Sequence, residues 1–332
     1  MNPEPPRSRL ADALFVPVLT HYKQGAPGTV DPGRTLAHIR HIRPHVRQVM
    51  LAGSTGDGWE ISDAGFDALI DLAASQDVAG LDVSLIFGAL RPTTEAVIAR
   101  LGHLEERLSK DPALEARVSA AVVCPPVDAD ASQEAILRHY DAVLAASRLP
   151  IAVYQLPQVT SCRIAPETLV RLAQSPRVTL FKDSSGEDQV AESRLDFGSV
   201  ALVRGAEGGY LEALKPAGPY DGWLLSTGNV LAEPLRRLLA LKAEGRRAEA
   251  AKLSEQLSGI VSEIFGAAAA EGGANAFSNA NRAMDHVAAH GSRWREAELP
   301  LKIDGNRLSK QLVEVAAKAA EAFLPGSAGY LG

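Results

Sequence analysis

Val178-Thr179-Leu180-Phe181-Lys182-Asp183-Ser184-Ser185-Gly186 sets a lysine directly after a short apolar run and directly before a polar turn. The run is four residues long, partly β-branched and bounded by turn formers, which reads as a buried strand rather than a helix. A lysine closing such a strand cannot easily carry its charge to water. Desolvation disfavours the charged form, so its pKa is expected to fall and leave free amine at neutral pH. Free amine attacks ketones. Many strands also end in a lysine that reaches the surface along its own stem, so the surrounding sequence decides what this one is for.

Working outward, similar runs occupy residues 14–19, 48–52, 82–87, 119–123, 151–155, 178–181, 201–204 and 222–225. Helical patterns lie between them. Residues 63–75 carry Phe66, Leu69, Ile70 and Ala73 on one face, and residues 133–146 carry Ile136, Leu137, Tyr140, Val143 and Leu144. Asp31-Pro32 supplies an N-cap followed by proline at the first helical position; Ser132 supplies a second cap, although its capping box is incomplete. Continuous apolar strands alternating with helices imply a parallel sheet covered on its outer face. Eight such units predict an α/β fold, a (β/α)₈ TIM barrel, whose usual size of about 250 residues fits the stretch up to roughly residue 244. A doubly wound open sheet is the competing architecture. It calls for a glycine-rich dinucleotide loop after the first strand, where this chain has Thr20-His21-Tyr22-Lys23.

Beyond residue 244 the pattern is helical without strands, at 247–270, 279–290 and 309–323. The expected organisation is a barrel carrying the active site over 1–245 and a C-terminal helical extension over 246–332 packed on it. Gly272-Gly273 marks a break between helices rather than a domain linker.

At 332 residues the chain suffices for one large barrel plus an appendage. No apolar run approaches the roughly 20 residues that a membrane span needs, and a net charge of -6 argues against general affinity for nucleic acid or anionic membranes. Small metabolites are the expected partners. Two cysteines, Cys124 and Cys162, are too few for a disulfide framework, and the N-terminus lacks the charged start and apolar core of a leader, so a cytoplasmic setting is expected. Cys124 closes an apolar run as a small buried residue; Cys162 has no evident base beside it. His38, His41 and His45 lie at helical spacing among Arg40, Arg43 and Arg47 and read as a solvated helix face, with no metal expected. Lys215 lies in a polar turn and Lys302 in the irregular tail, so neither competes with Lys182.

Two further segments fall at strand ends. Gly53-Ser54-Thr55-Gly56-Asp57-Gly58 follows Val49-Met50-Leu51-Ala52, and Val153-Tyr154-Gln155-Leu156-Pro157 ends the fifth run. Barrel enzymes build their sites from such C-terminal strand ends. The Gly53 to Gly58 turn offers backbone N–H groups and two hydroxyls where a loop enters a helix, a cradle for a carboxylate. Gly53, Ser54 and Thr55 are its expected binders. Neighbouring parallel strands lie about 4.8 Å apart, so Tyr154 and Lys182 can meet. A lone tyrosine in an apolar run is ordinarily a core aromatic; beside the other two motifs Tyr154 becomes the expected proton shuttle.

With Lys182 in Phe-Lys-Asp-Ser-Ser-Gly, these motifs resemble the dihydrodipicolinate synthase and N-acetylneuraminate lyase family of class I aldolases. The resemblance covers nearly the whole chain, with detailed similarity confined to the motifs. It implies a Schiff-base lyase in which Lys182 forms an imine with pyruvate or a 2-keto-3-deoxy sugar acid, and in which Ser54 joins Tyr154 in a proton relay. It also implies contacts from Glu207, Ser226, Thr227 and Asn229 to the distal part of the substrate, although each is equally a turn or cap residue; Asp183 is read as a cap of the helix that follows. The resemblance calls for no cofactor and for a homo-oligomer, a dimer or tetramer. Ser-Thr-Gly looks more like the neuraminate lyase branch. The departures are specific. Val159 stands where the synthase branch has an arginine for the second substrate's carboxylate, with Arg163 slightly later, and Cys124-Pro125-Pro126-Val127 replaces the usual tyrosine motif after strand four. Lysine biosynthesis fits poorly. The alternatives are a hydro-lyase (dehydratase) using the same imine on a keto-deoxy sugar acid, and a non-catalytic barrel that binds 2-oxo acids.

Overall fold

The computed structural model describes residues 12–272, 275–324 and 328–332, and its centre is a closed ring of eight parallel strands. They are β1 (Leu14–Pro17), β2 (Gln48–Leu51), β3 (Ser84–Gly88), β4 (Val118–Val123), β5 (Ile151–Gln155), β6 (Val178–Asp183), β7 (Ala201–Arg204) and β8 (Gly222–Leu224). Each pairs with its sequence neighbours, and β1 closes on β8 through Leu14 opposite Trp223. Helices follow the strands in turn: α1 (Pro32–Ile42), α2 (Asp63–Ala74), α3 (Thr94–Ser109), α4 (Gln133–Ala146), α5 (Pro166–Leu172), α6 (Gln189–Glu192), α7 (Tyr210–Ala213) and α8 (Gly228–Ala243). The barrel expected from the sequence is therefore the observed fold.

The strands are apolar on both faces because both faces are covered. Phe15, Met50, Ile86, Val122, Ala152, Leu180, Val203 and Leu224, one from each strand, fill the interior as one buried cluster. Their neighbours Leu14, Val49, Leu85, Ile151 and Phe181 belong to a second cluster, packed with helix residues such as Ile39, Phe66 and Tyr140. This period of two fixes what reaches the barrel mouth. Two residues beyond an interior side chain comes the next inward position: Cys124 after Val122, Tyr154 after Ala152, Lys182 after Leu180, Gly205 after Val203 and Ser226 after Leu224.

Local chemistry sets the helix starts. Asp31 accepts from Arg34 N at 2.9 Å with Pro32 at the first position, Ser62 Oγ accepts from Gly65 N at 3.1 Å, and Ser132 Oγ accepts from Ala135 N at 3.2 Å. One boundary differs usefully from the expected one. β6 continues two residues past Phe181, because Lys182 and Asp183 pair with Tyr154 and Gln155 on one side and with Val203 and Arg204 on the other. Lys182 thus belongs to the ladder itself.

After α8 come α9 (Arg247–Ala270), α10 (Ala276–His290) and α11 (Lys310–Ala319). They share a smaller core of Ile264, Ala268, Met284, Val287, Leu312 and Val313. α10 begins three residues earlier than the sequence pattern indicated, capped by Asn275, whose side chain accepts from Ser278 N at 3.2 Å. Gly272 takes a left-handed φ of 70° after α9; Gly273, the second half of the expected break, lies outside the described residues. No described helix is long and apolar enough to cross a membrane.

Candidate active site

Tyr154 and Lys182 are direct register partners on β5 and β6. Lys182 is 4% exposed, and its Nζ lies 4.0 Å from the centroid of the Tyr154 ring, over its face. The ring quadrupole favours a cation there. Among the described residues no carboxylate stands within ion-pair distance of Lys182. Room for its stem comes from Gly205, where a Cβ would sit 2.7 Å from Lys182 Cε and 2.1 Å from Ser184 Oγ.

Both side chains open into a cavity of about 710 Å³ at the C-terminal end of the strands, which Ser54, Thr55, Glu207 and Ser226 also line. Ser54–Gly56 forms a short 3₁₀ turn after β2. The first N–H groups of such a turn have no acceptor within it, and Trp59 Nε1 donates to Ser54 Oγ at 3.0 Å, leaving the serine proton free to point elsewhere. The turn is tight because Gly58 folds back on Ala52, whose carbonyl oxygen would stand 1.9 Å from a Cβ at that position.

What holds the turn in place was invisible in the sequence. Asp57, in the left-handed region at φ 57°, receives Tyr22 OH at 2.7 Å, Asn275 Nδ2 at 3.1 Å and Ser278 Oγ at 3.3 Å, and pairs with Arg282. Asn275 Nδ2 also donates to Ser54 O at 2.7 Å, and Ser278 Oγ to Thr55 O at 2.7 Å. Arg282 NH1 reaches Thr20 O at 2.6 Å. One carboxylate, 4% exposed, therefore ties the β2 turn to the start of α10. The partners from Asn275 onward lie more than 200 residues from Asp57, so only the sense of the turn, and not this anchor, could be read from the chain.

Glu207 lines the cavity, but its carboxylate is already occupied. Oε1 accepts from Ser226 Oγ and Thr227 N, each at 3.0 Å, and Oε2 from Thr227 Oγ1 at 2.7 Å and Tyr210 OH at 3.1 Å. Four donors fill its roughly four acceptor sites. Burial pushes its pKa up, and the hydrogen bonds from Thr227, Ser226 and Tyr210 oppose that rise. Glu207 thus lines the cavity with its oxygens engaged: it takes the Ser226 proton, so Ser226 presents lone pairs to the cavity.

Two other expected binders sit elsewhere. Asn229 is fully buried, accepting from Leu19 N at 2.9 Å and donating to Pro17 O at 2.9 Å and Ser226 O at 2.7 Å, so it ties β1 to the loop after β8 rather than lining the cavity. Gly53 lies beneath the turn, its Cβ position 3.0 Å from Met50 Sδ and 3.3 Å from Pro17 Cβ. Asp183 is buried and accepts from Ser185 N at 2.8 Å and Gln155 Nε2 at 3.3 Å, shaping the loop after β6 instead of capping α6. Cys124 and Cys162 are buried and reduced, and burial raises both thiols, with the Lys182 charge opposing the rise at Cys124.

His38 departs most from expectation. It is wholly buried, with Nδ1 2.9 Å from Asp285 Oδ1 and Nε2 2.8 Å from Asn229 Oδ1. His21 Nε2 lies 3.0 Å from the other oxygen of Asp285. His41 is half-buried and stacks on Tyr330 at 4.2 Å. His38 thus leaves the expected solvated face for a buried seam between α1 and α10, while Arg40 and Arg47 stay exposed. His21, His38 and Asp285 form a group with metal-ligand spacing, yet Asp285 is also engaged by Arg34 and Tyr330. A guanidinium already neutralises that carboxylate, and His38 touches the Lys182 cavity only indirectly, through Asn229 and the Ser226 carbonyl.

The sequence pattern described as the Dihydrodipicolinate synthetase family matches residues 12–276. A 4-hydroxy-tetrahydrodipicolinate synthase of Stenotrophomonas maltophilia strain R551-3 is 30% identical over 222 residues, spanning 66% of this chain and 70% of its own. CdNal from Clostridium difficile, solved in complex with mannosamine, gives a TM-score of 0.73 at 15% identity over 95% of this chain and 100% of that one. A structure described as the first monomeric dihydrodipicolinate synthase variant gives 0.74 at 19% identity, over 97% and 100% respectively.

Proposed function

Since the chain belongs to the dihydrodipicolinate synthetase family and is a lyase, we propose that it is a Schiff-base aldolase that makes and breaks a carbon–carbon bond next to a lysine-bound pyruvate unit. The observation that carries this reading is the Lys182 amine: buried, without a carboxylate partner among the described residues, and set against Tyr154 at the mouth of the barrel.

In this reading the Lys182 amine attacks the ketone carbon of a 2-oxo acid. The carbonyl oxygen leaves as water, and the protonated imine draws electrons from the adjacent carbon–carbon or carbon–hydrogen bond. The resulting enamine either takes a proton or attacks an aldehyde. Ser54 and Thr55 hold the substrate carboxylate through the free donors of their turn. Tyr154 moves protons, its hydroxyl being free of protein hydrogen bonds among the described residues and facing the cavity. Ser54 relays to it, since its own oxygen accepts from Trp59 and its proton remains available. Glu207 acts as a positioning residue through Ser226 and Thr227. A relay of Tyr154 and Ser54 stands in for one with a second tyrosine after β4, where this chain has the buried Cys124.

Enamine formation has a signature that needs no second substrate. In deuterium oxide the protein should catalyse exchange of the pyruvate methyl protons, followed by proton NMR, and Lys182→Ala should abolish that exchange. Exchange that persists in Lys182→Ala would refute the assignment of the amine. Water loss from a keto-deoxy sugar acid would proceed through the same imine, and product analysis separates it from carbon–carbon cleavage.

A further inference from the structure

The cavity of about 710 Å³ is far larger than a pyruvate unit needs, so most of it belongs to whatever the enamine attacks. Away from Lys182 its wall carries a band of apolar side chains. Val261 and Phe265 come from α9, Phe277 from the first turn of α10, and Leu156 and Val159 from the segment after β5. The Phe265 and Phe277 rings meet edge to face at 5.2 Å and 73°. Phe277 is 50% exposed and Val159 38%, and both rank among the most exposed large apolar side chains of the described residues. Apolar surface held open at a cavity mouth marks a place where an apolar group is received.

The charge pattern points the same way. Among the described residues lining the cavity, Lys182 is the one basic side chain, and Glu60 and Glu207 are both acids. Nearby arginines are committed elsewhere. Arg163 pairs with Glu187 at 2.6 Å, Arg204 with Asp188 at 3.1 Å, and Arg91 donates to the carbonyl oxygens of Gly58, Trp59 and Ile61. A phosphate or second carboxylate on the acceptor would lose its water, meet no cation and face two carboxyl groups. Apart from those two acids, the polar groups that line this end, Ser184, Ser185, Ser258, Ser262, Gln158 and Asn275, are neutral.

We propose that the acceptor, or the leaving aldehyde in the reverse direction, is an uncharged aldehyde whose body is an aromatic ring, seated against Phe265, Phe277 and Val261. This rests on the imine reading above. The enamine carbon bonds to the aldehyde carbon, the carbonyl electron pair passes to oxygen and takes a proton, and water then cleaves the imine. The products are a 4-hydroxy-2-oxo acid with the ring at its far end and the free Lys182 amine.

The test is a condensation panel with pyruvate and benzaldehyde, glyceraldehyde, glyceraldehyde 3-phosphate or succinic semialdehyde, run beside borohydride trapping of pyruvate on the same preparation. The expected result is a Lys182 adduct and a kcat/KM for benzaldehyde at least ten-fold above the other three. Phe277→Ala should lower the benzaldehyde value about ten-fold, and Phe277→Arg should shift preference toward succinic semialdehyde; Phe277 is half exposed, so neither change empties the core. An adduct together with equal or better use of a charged or polyhydroxy aldehyde overturns the acceptor assignment alone. Absence of any adduct overturns the imine reading and, with it, this one.

Discussion

At the scale of single residues, the site depends on how narrowly the lysine stem is held. A Cβ on Gly205 would lie 2.7 Å from Lys182 Cε, and Ser184 can rotate away from it whereas the stem cannot move without moving the amine. Gly205→Ala should therefore slow imine formation about 100-fold, the usual cost of a misplacement near 1 Å, while the thermal unfolding midpoint stays close to that of the parent. An unchanged rate of borohydride inactivation in the presence of pyruvate would show that the stem has slack. Lys182, Tyr154, Ser54 and Thr55 were legible in the chain because a two-residue period and the strand order suffice to bring them to one rim. The surroundings of Asn229 and Glu207 were not legible for the opposite reason: whether a polar side chain is spare or already satisfied depends on partners such as Leu19, Pro17 and Tyr210, which no local pattern reveals.

At the scale of elements, two joints carry the argument. The first is the Asp57 clamp between the β2 turn and α10. Removing one partner of a buried ion pair leaves the other charged and unpaired, so Arg282→Met should cost about 3 kcal/mol of stability in urea unfolding. A loss below about 1 kcal/mol, the value typical of an exposed pair, would mean that water already reaches the clamp. The second joint is His139 on α4. Its Nε2 lies 3.0 Å from Cys124 O, a carbonyl that can only accept, so Nε2 carries the proton and Nδ1 accepts from Thr94 Oγ1 at 2.8 Å. Burial lowers its pKa to about 4 from 6.5, against the smaller upward pull of the Cys124 hydrogen bond. As pH falls through 6.5 the unfolded chain takes up this proton first, and the folded chain follows only near 4. Stability from this group is therefore intact above 6.5 and declines between 6.5 and about 4, by about 1.4 kcal/mol per pH unit. His139→Gln should flatten the pH dependence of unfolding in that window by about this slope; an identical profile in parent and variant would contradict the neutral, buried imidazole. The existence of α4 and α10 was readable from helical spacing, and α4 even to its ends. Where they dock was not. The histidines on α1 looked like a solvated face because Asp285, which meets His38, lies 247 positions further along the chain.

At the scale of the whole molecule, the alternation of eight apolar runs with helical segments was enough to predict the barrel, since parallel strands joined by helices close in few ways. The C-terminal helices were visible as such, but their contribution to the site was not. α9 and the start of α10 supply Phe265 and Phe277 to the far wall, and Asn275 and Ser278 brace the turn after β2. The extension thus finishes a cavity that the barrel alone leaves open. Its one basic side chain among the described lining residues is Lys182, and the account stands or falls with that amine. The most direct measurement is reduction by borohydride in the presence of pyruvate, followed by intact mass and peptide mapping. The account predicts a single adduct of one reduced pyruvate, located on Lys182 and absent from Lys182→Ala. No adduct with pyruvate or with other 2-oxo acids, or an adduct mapped to a different lysine, would contradict it.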